Sequence, residues 1–333
     1  MHATRLGIVV AAGLGVALLA AGVVTGGARA WIGYLAGAVA LVAIPLGSLA
    51  LLAANRLIGG GWTGPVAPVL LAAARTLPLA LLLFLPIPFA LGEIYPWTGR
   101  ADPAPVWLSE GFFIGRTVGY FAIWLASLAL LVRGGGQRVA VGVALALYTV
   151  SGSLAGVDWL MTLDPLFNSS MFGLLFVAGH LVAALAFAAL VTYAREPERP
   201  VGMVGGLLLA GVMTVAYLDY MQFLVVWAAD HPAEAQWYVR RGAGALAVGF
   251  TLLVIAAKAL VPTVALAWPA VRLRQRPLAI AAGIVLAGHL LNTAWLALPE
   301  ADGVVPAALA FAGVVSLGAA AAIARLAAQS PAA

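Results

Sequence analysis

The chain has 333 residues, of which 64% are hydrophobic and only 9% charged, with a formal net charge of +5 and no cysteine. Soluble domains carry roughly 25% charged residues, so these few charges cannot coat a water-facing surface, and lipid must be the solvent for most of the chain. The missing thiols exclude disulfides, thiolate metal sites and iron–sulfur clusters held by this chain.

In lipid every backbone N–H and C=O needs an internal partner, which leaves α-helices or closed barrels. Barrel strands alternate in polarity over about ten residues. Here the apolar runs are long and continuous, as in LGIVVAAGLGVALLAAGVV. The predicted fold is therefore all-α, one integral membrane domain over 1–333 with about ten transmembrane helices. Runs of about 20 apolar residues can cross the hydrocarbon core, and they fall at 6–24, 31–54, 67–92, 111–132, 138–156, 172–194, 201–228, 241–266, 278–297 and 304–327. The first follows Arg5 and precedes Ala28-Arg29-Ala30, which imitates a signal peptide with a small-residue cleavage site. Its apolar run is long for a signal core and reads as an uncleaved first helix. The connections are short and carry turn residues, among them Gly59-Gly60-Gly61, Gly134-Gly135-Gly136, Glu196-Pro197 and Pro299-Glu300.

The charges sort by side. Loops on the side of the N-terminus hold Arg5, Arg56, Arg133, Arg138, Arg195, Arg199, Arg272, Arg274, Arg276 and Arg325 against Glu196 and Glu198. The opposite loops hold Glu93, Asp102, Glu110, Asp158, Asp164, Asp230, Glu234, Glu300 and Asp302 against Arg29, Arg100, Arg240 and Arg241. The positive-inside rule then puts both termini in the cytoplasm. Seven tryptophans, Trp31, Trp97, Trp107, Trp159, Trp227, Trp237 and Trp295, lie near the outer helix ends and read mainly as an interfacial belt. Their excess on one side also suits a surface that seats an extracytoplasmic partner.

Polar groups at bilayer depth are costly and usually face a bundle interior or cavity. Arg116 falls in the first turns of the fourth predicted helix and His180 near the middle of the sixth. Asp219 and Gln222 share a face of the seventh, Lys258 lies in the inner half of the eighth, and His289 and Asn292 share a face of the ninth. Singly, each is accounted for by an interhelical hydrogen bond or an ion pair, for example Asp219 with Arg116. As a set they suggest a proton relay or a polar ligand site. No pair of histidines four apart with a carboxylate points to a metal, and no spacing of histidines argues for a bis-His haem. Between the fifth and sixth helices the segment from Asp158 to Gly173 mixes apolar residues with Asp-Pro and Asn-Ser-Ser turn chemistry. It predicts a short interfacial helix and then an entry into the sixth helix capped by Ser169 or Ser170.

That segment, VSGSLAGVDWLMTLDPLFNSSMFGLLF, strongly resembles a block in the membrane subunits of alternative complex III, the bacterial quinol:cytochrome c (or quinol:oxidase) oxidoreductase. The subunit type it is most similar to is the second, smaller polysulfide-reductase-like (NrfD-like) chain, often labelled quinone-binding. GEIYPWTGRADPAPVWLSEGFFIGRTVGYFAIW, YLDYMQFLVVWAADHPAEAQWYVRR and AGHLLNTAWLALP resemble further stretches in the same order, so the similarity covers roughly residues 90 to 300. The chain departs from the pattern at Glu93-Ile-Tyr-Pro-Trp97, where the family has a histidine, and at Val106-Trp-Leu-Ser109, where it has a lysine.

The resemblance implies paired four-helix bundles plus extra helices, in the bacterial inner membrane. It implies as partners a larger NrfD-like membrane subunit, a periplasmic iron–sulfur subunit and c-type cytochrome subunits, with haem c and iron–sulfur clusters in those chains and none bound covalently here. It makes the larger partner the quinol oxidiser. On this expectation the present chain anchors the electron-transfer subunits and conducts protons through Asp219, His180, Lys258, His289, Arg116 and Gln222, with Asp158 at the exit or at a docking point. The alternatives are a stand-alone secondary transporter, or a chain that itself binds quinone and oxidises quinol.

Overall fold

A computed structural model of the chain describes residues 2–99, 106–133 and 137–328, with backbone alone for residues 2–5 and 326–328. Arg100, Asp102, the Gly134–Gly136 turn and the Arg5 side chain lie outside the described residues. The helices are α1 (His2–Gly26), α2 (Ala30–Ile58), α3 (Ala67–Ala74), α4 (Leu77–Phe84), α5 (Leu91–Ile94), α6 (Glu110–Val132), α7 (Arg138–Trp159), α8 (Phe172–Arg195), α9 (Val204–Ala229), α10 (Pro232–Arg241), α11 (Ala245–Ile255), α12 (Val261–Ala267), α13 (Pro269–Arg272), α14 (Gln275–Ala297) and α15 (Val304–Ala328). Among the described residues there is no strand, and nine segments are long and apolar enough to cross a membrane.

The first of these segments, Leu6–Ile58, has 53 residues. As one helix it would be about 80 Å long, far more than a bilayer core of about 30 Å. It is instead a hairpin, turned by a 3₁₀ stretch at Gly27–Arg29 in which Gly27 takes a φ of 53°, left-handed backbone that glycine adopts freely. Gly26 lies against Pro306 and Gly15 against Leu317, so α1 runs antiparallel to α15. Gly33 and Gly37 lie against Ala307 and Val314, so α2 runs parallel to α15. The start of α1 and the end of α15 therefore share one end of the bundle.

The segment Ala67–Ile94 is interrupted. Pro78 and Pro86 cannot donate a helical N–H, and the chain passes through α3, α4, a 3₁₀ turn at Ile87–Ala90 and α5. The next segments alternate in direction, which collects Arg56, Arg133, Arg138, Arg195, Arg199, Arg272, Arg274, Arg276 and Arg325 at one end and Glu93, Glu110, Asp158, Asp164, Asp230, Glu234, Glu300 and Asp302 at the other. We call these the basic and acidic ends.

The core is centred on α2, whose buried face runs from Ala30 to Ala53 against α8, α14 and α15. Close approach of α2 to α8 depends on Gly47, where a Cβ would lie 1.9 Å from the His180 carbonyl oxygen. At the acidic end an aromatic cluster of Phe84, Phe121, Trp124 and Trp159 fills the space among α4, α6 and α7. Three belt tryptophans are thus core residues: Trp97, Trp159 and Trp237 are buried, whereas Trp227 is exposed. Their rings pack on neighbouring aromatics at the acidic end instead of facing outward from the bundle.

Two local expectations are corrected at the α7–α8 connection. The interfacial helix is only a 3₁₀ turn, Met161–Leu163, because Asp164 turns the chain by accepting the Leu166 N–H on its own side chain. Helix α8 is entered from Met171 with no side-chain cap. Ser169 is diverted, since its hydroxyl donates to Gln222 of α9 at 2.9 Å.

Candidate functional site

The expected site residues separate into two groups. At mid-bundle, α8, α9, α11, the turn Ala256–Leu260 and α14 surround a mostly apolar cavity of about 560 Å³, lined among others by His180, Asp219, Gln222, Lys258, His289 and Asn292. Counting 1.5 Å per residue, His180 and His289 each lie about 12 Å in from the acidic ends of their helices and Asp219 about 15 Å. This depth is within the hydrocarbon core of a membrane that the spans would cross.

Lys258 is the hub. Its ammonium pairs with Asp219 Oδ2 at 2.6 Å and donates to Asn292 Oδ1 at 2.9 Å. It stands on a π-helical turn, Ala256–Leu260, between α11 and α12. Such a turn inserts a residue into the helix and re-aims the side chains it carries. Gly288 of α14 lets the widened backbone in, since a Cβ there would lie 2.6 Å from the Ala257 carbonyl oxygen. The Nε2–H of His289 donates to the Ala40 carbonyl at 3.0 Å, which leaves Nδ1 of the neutral ring as the acceptor. His180 is 1% exposed; its Nδ1 meets the Tyr148 hydroxyl at 3.3 Å, its ring packs on Phe176, and its Nε2 has no hydrogen-bond partner among the described residues.

The acidic-end wall of the cavity is polar. Gln222 accepts from Ser169 and donates to the Tyr238 hydroxyl at 3.3 Å. Burial pushes the Tyr238 phenol up to about 12, with the Gln222 hydrogen bond acting the other way. The neighbouring Arg241 is 2% exposed and donates to the carbonyls of Trp237, Trp295 and Leu296 as well as to Glu300 at 2.9 Å. Burial draws its guanidinium down to about 10, opposed by Glu300, so it stays charged at neutral pH. Arg240 adds pairs to Asp164 and Glu300.

Arg116 and Asp158 form the second group, away from Asp219. The Asp158 carboxylate is fully buried and takes four donors: Arg116 Nε and Nη2 at 2.8 Å each, the Tyr120 hydroxyl at 2.7 Å and Trp107 Nε1 at 3.1 Å. The guanidinium also lies 4.0 Å from the Trp107 ring centroid and donates to its carbonyl. This bidentate, desolvated arrangement clamps α6 to α7. The sequence offered Arg116 as a partner for Asp219; the structure gives that place to Lys258.

Arg241, Tyr238, Ser169 and Glu300 were not singled out as site residues by the sequence. They sit in or beside the connections between predicted spans, where a charged or hydroxyl residue reads as loop chemistry; the fold brings Ser169 directly to Gln222, and α10 carries Tyr238 to Gln222 and Arg241 to Glu300.

Among the described residues no group of three His, Cys, Asp or Glu is placed to hold a metal ion. No protein-family model matches the sequence, and no curated protein matches it.

Proposed function

We propose that the chain is an integral membrane subunit of a respiratory quinol:cytochrome c (or quinol:oxidase) oxidoreductase resembling alternative complex III. Its basic end faces the cytoplasm of a bacterium. Its acidic end seats periplasmic iron–sulfur and c-type cytochrome subunits beside a larger NrfD-like membrane subunit. Its interior carries protons.

The observation that supports proton handling most directly is the half-buried Asp219–Lys258–Asn292 chain, next to His289 and His180, in one cavity at membrane depth. Ionisable groups there are expensive and mark proton or substrate paths. Oxidation of a quinol releases two electrons and two protons. In this reading the electrons pass to the cofactors of the partner chains, and the protons need an acceptor that can lose its charge partner and regain it. Asp219 meets that need, since Lys258 can hold it as carboxylate and Asn292 can hold Lys258 when Asp219 is protonated.

The cavity favours a second reading, in which this chain itself binds the quinol. A mostly apolar volume with a few convergent polar groups is the usual form of a small-molecule site.

The test is isolation of the complex with Asp219→Asn and His180→Ala variants. We expect co-purified c-type haem and iron–sulfur chains, with quinol oxidation and proton release reduced at least tenfold by D219N. Isolation of the chain alone as a homo-oligomer would remove the respiratory reading. Unchanged turnover and proton release in both variants would remove the relay.

A further inference from the structure

The cavity has a side door and a sealed roof. Helix α9 packs on α12 and on the π-helical turn, but it parts from α11 towards the acidic end, leaving a V-shaped gap. The cavity-lining residues on the two edges of that gap are exposed: Tyr220 (58%) and Phe223 (45%) on α9, Val248 (43%) and Leu252 (60%) on α11. These four side chains are apolar or aromatic and lie in apolar spans, so the gap faces the bilayer interior.

The top of the V is closed by α10. Tyr238 and Arg241 of α10 line the cavity from above. Trp237 stacks on Phe167 with ring centroids 4.3 Å apart, and the Arg241 guanidinium lies 3.4 Å from the centre of the Trp237 ring. Arg240 and Arg241 bind Asp164 and Glu300, which come from two other connections at the acidic end. A segment held by a buried arginine, a buried tryptophan and the ion pairs of the half-exposed Arg240 does not open easily to water.

The geometry points to a lateral portal between α9 and α11 through which a bilayer-dissolved molecule, with an apolar body and a hydrogen-bonding ring, reaches the Asp219–Lys258 pair while the α10 roof excludes the outer aqueous phase. This rests on the second reading above for the nature of the molecule. The route itself rests on the exposed rim, the divergence of the two helices and the latched roof. An entrant through an apolar rim must partition from lipid, which rejects ions and sugars before any contact with the polar floor.

The native chain lacks cysteine, so cysteines can be placed at will. In lipid nanodiscs the Y220C/L252C variant, bridged by a short bifunctional thiosulfonate, is mixed with decylubiquinone and followed by stopped-flow quenching of Trp295, which lines the cavity. Bridging is expected to slow both association and release at least tenfold with Kd unchanged, and reductant to restore the rates. Equal rates before and after bridging would overturn the portal. A second readout separates the portal from the ligand's identity. A nitroxide on G179C, at a glycine that lines the cavity beside open space, is expected to collide with oxygen from the lipid and not with a water-soluble nickel chelate. Frequent nickel collisions would overturn the sealed roof even if quinone binds. If decylubiquinone never quenches but the collision pattern holds, the quinol reading fails and the portal stands.

Discussion

A buried ion pair and a half-buried one set the expectations for single residues. Asp158 is fully buried with four donors, so losing Arg116 strands a carboxylate at a cost of about 3–5 kcal/mol. The exposed Arg199–Glu196 pair is worth about 0–1 kcal/mol. Thermal unfolding in detergent should therefore show a large drop in Tm for R116A and almost none for R199A; equal drops would contradict the clamp. The Asp219 side chain is 37% exposed and, once its partner is lost, can neutralise itself by taking up a proton, which limits the cost. K258M should cost about 1–3 kcal/mol, and the D219L/K258M double variant should recover most of it, because removing both charges leaves nothing unpaired. A double variant less stable than the sum of the singles would refute a mutually dependent pair.

Helical elements here are shaped by what they must avoid. The π-helical turn is tolerated because Gly288 offers no side chain to the Ala257 and Lys258 backbone. G288A should push the turn outwards and cost about 1–3 kcal/mol, as overpacking does. Hydrogen exchange should rise across Ala256–Leu260 and leave α2 unchanged. An exchange pattern identical to that of the native chain would show that the turn does not depend on α14. The 3₁₀ turn before α8 has a parallel logic, since Ser169 serves Gln222 and leaves the helix start to backbone geometry alone.

For the whole molecule, the separation of charge fixes an expected orientation. Gln236 lies on α10 at the acidic end and Glu198 in the connection at the basic end, and both are exposed. In intact cells a membrane-impermeant thiol reagent should label Q236C and leave E198C untouched until the membrane is permeabilised. The reverse labelling would invert the molecule and put the proposed partner-seating face in the cytoplasm. The same asymmetry makes the acidic end, with its latched α10, the face on which a periplasmic partner is expected to rest.

By itself the sequence determined the solvent and the long apolar helices. Long apolar runs with 9% charge admit only membrane helices, and the placement of arginine sorted the two ends. It also marked Asp219, Gln222, Lys258, His289 and His180 as costly at their depth, because a polar residue inside an apolar run is visible without coordinates. Which of these meet was decided by tertiary structure alone. Pairing depends on helix directions, on close approaches at Gly47 and Gly288, and on a π-helical turn that apolar periodicity does not announce. The same holds for Asp158, which the sequence placed with the proton path and the fold holds in a clamp with Arg116. Burial of three tryptophans and the roof formed by α10 also followed from packing, since a tryptophan or an arginine near a helix end looks the same in sequence whether it faces the headgroups or the core.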